Sequence, residues 1–469
     1  MQGRTFLIGG IAALGLVTGS VPAWARKKPP PAPVAPAPLP PIAGIDPATL
    51  AAVDRFEQSR PGQRLWFNGA ALSPAGSALL GRLRSANFDG FPAGPILAAR
   101  VSSDLAQQNI ADADRALSGG YAMLVRLMNT PPAGLRYNEP EAMPRVAGPD
   151  MLLITAAQSP NLQSQVDMTL RRSQIYYDLR AAAIADAASR GGTPDPRLMA
   201  NLERARAIPP VGKVVVVNPA TQELLMVQDG QIADRMKVVV GKVETPTHPM
   251  VSMLHYITVN PYWNVPSDLV QKILAPRAAR GGVAYLNRGH YQIVDGFGAK
   301  ATVVSPASVD WKKVLSGEQT IQMRQLPGPF NSMGRMKFGF ANNYGIYLHD
   351  SPSKKLFADD VRVESNGCVR LEDAARLATF LNGSVPKADG TEGDQLVQLP
   401  QAVPVYISYL TAQPTGDAVR WANDIYSLDP AGASTLATGQ PSVPATPAGL
   451  SSPTVASEAM KPVPTSATN

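Results

Sequence analysis

The sequence predicts two folded parts in succession, a mostly α-helical domain and then a mainly β domain. Three observations carry that reading. Apolar residues recur at helical spacing from about residue 47 to 207. At Val211 the period switches to short β-branched runs separated by turn pairs. Proline and small polar residues gather toward the two ends. With 469 residues, 45% of them apolar, the chain can fill two cores of ordinary size.

The first 25 residues have the form of an export signal. Arg4 gives a short positive start, Phe6 to Val17 is apolar apart from glycines, and Ala23-Trp24-Ala25 offers a small-x-small cleavage site. An uncleaved anchor would carry the same pattern. Residues 26–46 follow as a linker, in which PPPAPVAPAPLPP (Pro29 to Pro41) forms a stiff polyproline II spacer. Residues 431–469 are rich in Ala, Ser, Thr and Pro. Such a tail buries too little apolar surface to offset its ordering entropy.

Within 47–207 the spacing predicts helices at Ala75 to Leu83, through Leu79, Leu80 and Leu83, and at Asn161 to Arg190, closed by Gly191-Gly192. Within 208–430, Lys213 to Val217, Glu223 to Val227 and Met236 to Val240 read as strands joined by Asn218-Pro219 and Asp229-Gly230 turns. His255 to Val259, Gly345 to Leu348 and Val403 to Leu410 read as further strands, and Glu372 to Leu381 as a helix. Residues 267–330 interrupt the strand pattern with a helix start, aromatics and Gly pairs. An insertion of this size suits a lid.

Charge narrows the chemistry less than cysteine does. The net charge of +7 comes without a dense Lys/Arg cluster interleaved with aromatics, so nucleic-acid binding has little support. A single cysteine, Cys368, excludes any internal disulfide. An exported chain has no reason to keep one thiol unless it is buried or useful. It lies in Ser365-Asn366-Gly367-Cys368-Val369-Arg370, a run of turn formers that puts the thiol on a tight loop where main-chain amides can converge. His349 closes an apolar strand 19 positions upstream. An imidazole brought beside a thiol takes its proton and can return it to a leaving amine. A helix soon after the cysteine would add its N-terminal dipole in favour of the thiolate, and because a His349 imidazolium would stabilise that thiolate as an ion pair, reaction below the free-thiol pH range is expected.

The HD…S-x-G-C-x-R arrangement of His349-Asp350 and Ser365 to Arg370 resembles the YkuD-type L,D-transpeptidases. Val259 to Pro266 (VNPYWNVP), Pro327 to Arg335 (PGPFNSMGR) and Ile346 to Asp350 (IYLHD) are similar to the large branch of that family, which carries a scaffold domain. The likeness runs from about Leu202 to Leu428, and Leu65-Trp66-Phe67 begins a weaker one to the scaffold. It implies a YkuD-like β-sandwich with a helix and a lid insertion, preceded by a mostly α-helical scaffold.

The resemblance also implies a reaction. Cys368 would attack a tetrapeptide stem between meso-diaminopimelate and D-Ala, and the thioester would pass to a diaminopimelate amine of a second stem, giving a 3→3 cross-link. His349 would be base and then acid, Gly367 and Cys368 would donate amides to the oxyanion, and Asn366 and Arg370 would shape the site. Tyr347 and Trp263 would line the substrate groove and lid. Peptidoglycan stems are the implied partners, carbapenems the implied inhibitors, the periplasm the implied place, and no cofactor or metal is implied. The family's usual His two residues before the cysteine is Asn366 here, and the wall-binding repeats of larger relatives have no counterpart in the sequence. Hydrolysis of the thioester, attachment of proteins to the wall, or non-catalytic wall binding are the alternatives.

The remaining candidates read more plainly. His248 and His255 have no Cys or paired carboxylates at ligand spacing and are expected to be core or surface histidines. His290 is expected to be a polar loop residue. Asp350 neighbours His349 on a strand, so the two side chains point to opposite faces and Asp350 is expected to be structural.

Overall fold

The computed structural model describes residues 40–298, 301–416 and 418–430. The predicted export signal, most of the linker and the tail lie outside them.

Capping chemistry sets the helical half. In chain order it contains α1 (Pro47–Gln58), the hairpin β1 (Phe67–Asn68) and β2 (Ala71–Leu72), α2 (Pro74–Arg84), α3 (Ala93–Ala106), α4 (Ile110–Asn129), β3 (Arg136–Tyr137), α5 (Pro149–Gln158), α6 (Leu162–Leu170), α7 (Gln174–Ser189) and α8 (Pro196–Arg206). Asp46, Ser73, Asn109, Asn161, Ser173 and Asp195 each accept from an amide of the first turn, and α1, α2, α5 and α8 begin with proline. Trp66 is fully buried against α4, where its indole N–H donates to Ser118 at 3.0 Å. The single helix expected over Asn161–Arg190 is two. Ser173 caps a new helix, and the Gln174 amide donates to Gly230 O at 2.8 Å, which diverts the chain toward the sheet.

The β half follows as β4 (Lys213–Asn218), β5 (Glu223–Gln228), β6 (Gln231–Gly241), β7 (Met250–Val259), β8 (Trp263–Asn264), α9 (Ser267–Leu269), α10 (Ala275–Arg288), β9 (Tyr291–Val294), β10 (Val303–Val304), α11 (Trp311–Ser316) and β11 (Gln322–Gln325). It continues with β12 (Met336–Phe338), β13 (Leu348–His349), β14 (Val363–Ser365), β15 (Val369–Leu371), α12 (Ala374–Asn382) and β16 (Gln395–Ile407). The strand order β12-β13-β15-β6-β5-β4-β16-β7 returns to β12 through β7, so eight strands fold over onto one interior. Residues Met226, Val238, Leu254, Phe338, Leu348, Val369 and Val405 fill it, with Leu377 and Leu381 of α12.

The valine run of β4 explains how the halves join. Val215 and Val217 face the sheet interior, whereas Val214 and Val216 pack with Val227, Val251 and Tyr406 into the core of the helices. A strand buried on both faces needs a continuous apolar run rather than an alternating one. The helical half also donates a strand, because β3 pairs in parallel with β7.

The 267–330 insertion is a small structure in itself. Strands β10-β9-β11 form its sheet, with β8 from just before the insertion at the edge, and Val270, Leu274, Ala278, Leu286, Ile293, Val314 and Met323 its core. Its main helix, α10, is broken at Gly282, where φ 57° and ψ −153° lie outside the range of other residues.

Candidate active site

Strand register brings the two expected residues to one place. β13 and β15 run parallel with Leu348 opposite Val369 and His349 opposite Arg370, and the Val369 amide extends the ladder by donating to Tyr347 O at 3.0 Å. Side chains alternate along strands. Leu348, Val369 and Leu371 therefore enter the core, while Tyr347, His349, Cys368 and Arg370 share the opposite face. Lys337 joins them from β12, because it pairs with His349 while Met336 and Phe338 point inward.

His349 is buried, 3% exposed, and its Nδ1 is held by the main-chain oxygen of Asp350 at 2.6 Å. That contact makes Nδ1 the protonated nitrogen and leaves the lone pair on Nε2. Burial brings the imidazole pKa down to about 4, helped by the Arg370 and Lys337 charges, so the ring is neutral at physiological pH. The Asp350 carboxylate turns away to the amides of Arg335 (3.0 Å) and Ser351 (2.8 Å) and to Lys354 (2.8 Å). Asp350 orients the histidine through its backbone, a role that side-chain reasoning had no means to find.

Cys368 is half-buried, and its thiol donates to Gly345 O at 3.6 Å. Burial pushes the thiol pKa up, against the opposing pull of the Tyr347 amide and hydroxyl and the Lys337 and Arg370 charges. No hydrogen bond joins Sγ to His349 among the described residues. The expected thiolate–imidazolium pair is not formed: burial disfavours the charged form of both groups. The expected helix dipole is also displaced, because β15 intervenes and Asp373 caps α12 through the Arg376 amide at 3.0 Å.

The loop before the cysteine is built by Ser365, whose hydroxyl accepts from Gly367 N at 3.1 Å and donates to Cys368 O at 2.6 Å. Gly367 sits at φ 108°, which only glycine holds without strain, and its oxygen accepts from Thr247 at 2.8 Å. The Gly367 amide is thus engaged, and the main-chain donors beside the sulfur are those of Cys368 and Tyr347. Thr247 is tied in turn to Gly241 N (3.0 Å) and to the Tyr426 hydroxyl (3.2 Å). Asn366 is exposed at the tip of the loop.

The insertion reaches the same face. The Trp263 side chain faces the Tyr347 hydroxyl, which in turn meets Cys368, and Tyr347 and His349 rings lie 5.8 Å apart. Trp263 continues to Tyr291 at 6.5 Å and Tyr285 at a further 6.3 Å, inside the insertion. His248 stacks on Tyr344 at 4.2 Å, His290 stacks on Phe330 at 4.6 Å, and His255 pairs with Glu139 of the helical half at 2.7 Å. Among the described residues no group of three or more His, Cys, Asp or Glu could hold a metal ion.

Residues 212–407 match the family model described as the YkuD L,D-transpeptidase catalytic domain. This segment is a YkuD domain. The "Putative L,D-transpeptidase" of Haemophilus influenzae is 31% identical over 243 residues, 50% of this chain and 48% of its own length. The chain thus spans about half of the curated relative it matches. Among solved structures, the L,D-transpeptidase from Mycobacterium smegmatis is similar at 11% identity, covering 42% of this chain and 59% of that one, with a TM-score of 0.22. L,D-transpeptidase 3 from Mycobacterium tuberculosis, in complex with a faropenem-derived adduct, is similar at 13%, covering 42% and 60%, with a TM-score of 0.21.

The YkuD domain carries both Cys368 and His349. Sequence patterns did not single out Lys337, Thr247 or Tyr426. Lys337 is one polar residue in a three-residue strand, and the other two act across long sequence separations.

Proposed function

We propose that this protein is an exported L,D-transpeptidase that forms 3→3 peptidoglycan cross-links in the periplasm through a thioester on Cys368. The observation that carries this reading is the shared face of Cys368 and His349 on adjacent strands, with Nε2 of a neutral imidazole free to accept. Sγ turns from Gly345 O toward Nε2, gives up its proton there, and bonds to the carbonyl carbon of the L-centre of meso-diaminopimelate in a tetrapeptide stem. The amides of Cys368 and Tyr347 meet the oxyanion. The C–N bond breaks, the proton on Nε2 passes to the departing nitrogen, and D-Ala leaves as the amine. The side-chain amine of a second stem then attacks the thioester, loses a proton to Nε2, and the sulfur regains it as the new amide forms.

Trp263 and Tyr347 suit a groove wall that closes over the stem, with the insertion as its lid. The decisive experiment is mass spectrometry of purified disaccharide-tetrapeptide incubated with the protein. A dimer lacking one D-Ala supports cross-linking. A tripeptide monomer alone would make the protein a hydrolase, and unchanged substrate would overturn the proposal.

A further inference from the structure

The face that holds Cys368 carries more positive charge than its own reaction needs. Lys337, His349 and Arg370 lie side by side across β12, β13 and β15 in direct register, so two cations bracket one neutral imidazole. Both cations are half-buried. Neither has a carboxylate within ion-pair distance among the described residues, although Arg370 feels Glu364 nearby. Asp350, the carboxylate next to His349, is occupied by Lys354 and two amides. The Lys337 ammonium sits 5.2 Å from the centre of the Tyr347 ring, which leans it along the strand toward the sulfur. A lysine beside a reactive centre, with no anion of its own, calls for an anion from the substrate.

The direction of the proposed reaction says which anion. With the scissile carbonyl at Sγ and its oxygen toward the Cys368 and Tyr347 amides, the nitrogen of the leaving residue must face His349 to receive a proton. The rest of the leaving residue then lies past His349, between Lys337 and Arg370. If that residue is the last of the donor stem, it carries a free α-carboxylate close to the cleaved amide. We propose that Lys337 is a specificity-determining residue that binds this terminal carboxylate and selects acyl donors ending one residue beyond the cleaved bond. The inference rests on the function proposed above. Arg370, partly answered by Glu364, is left to the opposite flank of the groove.

The test compares two donors on the full-length protein: disaccharide-tetrapeptide with its C-terminal carboxylate, and the same compound as the C-terminal carboxamide. Wild type is expected to favour the carboxylate by at least about tenfold in kcat/KM, mainly through KM, because a site built around a charged group penalises the analogue that lacks it. Lys337→Met should bring the ratio toward one, and Lys337→Arg should restore it. Equal use of both donors by wild type would overturn the inference while leaving transpeptidation standing. A Lys337→Met variant that slows on both donors alike and keeps the preference would also overturn it, since Lys337 would then act on the thiol alone. A preference that survives in Lys337→Met and vanishes in Arg370→Met would move the carboxylate to Arg370. Wild type inert toward both donors would instead refute the reaction itself.

Discussion

The Nδ1 of His349 is bound to the main-chain oxygen of Asp350 at 2.6 Å, so the orientation of the imidazole depends on a backbone group that no side-chain substitution removes. Asp350→Asn should therefore retain most activity. His349→Gln, which keeps volume but has no titrating nitrogen, should slow thioester formation by ~10²–10⁴-fold in single-turnover assays with a stem donor. Comparable rates in the two variants would mean that Nε2 takes no proton.

The same histidine predicts how stability varies with pH. Its folded pKa of about 4 lies below the ordinary value of 6.5, so the unfolded chain binds the proton first. The stabilisation is complete above pH 6.5 and is lost as pH falls through 6.5 toward about 4, by up to roughly 3 kcal/mol. Denaturant midpoints at pH 7.5 and 4.5 should drop further in wild type than in His349→Gln. Equal drops would place the imidazole in solvent.

Cys368 should alkylate slowly at neutral pH, with a rate that rises past the free-thiol range near about 8.5, because burial raises its pKa and no imidazolium pairs with it. A rate plateau already reached at pH 6 would show a preformed ion pair. A carbapenem should nevertheless add once per chain, since its strained amide engages His349 as base, and the adduct should vanish in Cys368→Ala. Intact mass reads both.

Ser365→Ala should leave the sheet folded yet strip the Gly367 amide and the Cys368 carbonyl of their shared hydroxyl. A cysteine displaced by about 1 Å would lose roughly 10–100-fold in kcat. Wild-type turnover in Ser365→Ala would show that Gly367 and Thr247 suffice to hold the loop.

Gly282→Ala should strain the break in α10 by ~1–3 kcal/mol and disturb the insertion. If the insertion closes over bound stems, KM for stem peptides should rise while alkylation of Cys368 by a small reagent stays within about twofold. Equal effects on both would make the insertion part of the catalytic framework.

What the sequence revealed follows from how local each signal is. The strands β4 to β6 were readable because valines and turn pairs sit within a few residues of one another, and Cys368 and His349 because both residue types are scarce. β13 is only two residues long, its neighbours β12 and β15 lie about ten and about twenty residues away, and β12 is held in turn by β7 about eighty residues upstream, so neither its register nor the place of Lys337 could be read locally. The break at Arg171 to Ser173 was hidden because it answers to Gly230, in a different half of the chain.

Val214 and Val216, with Val227, Val251 and Tyr406, have their apolar neighbours in the helices. A gene fragment starting at residue 208 would present that patch to water as a bare sheet face, and aggregation should be its first property. The segment that carries the chemistry is therefore not a transferable cassette. Recombination could exchange its lid or its tail, but the helices must travel with it, and selection acts on the two halves as one inherited unit.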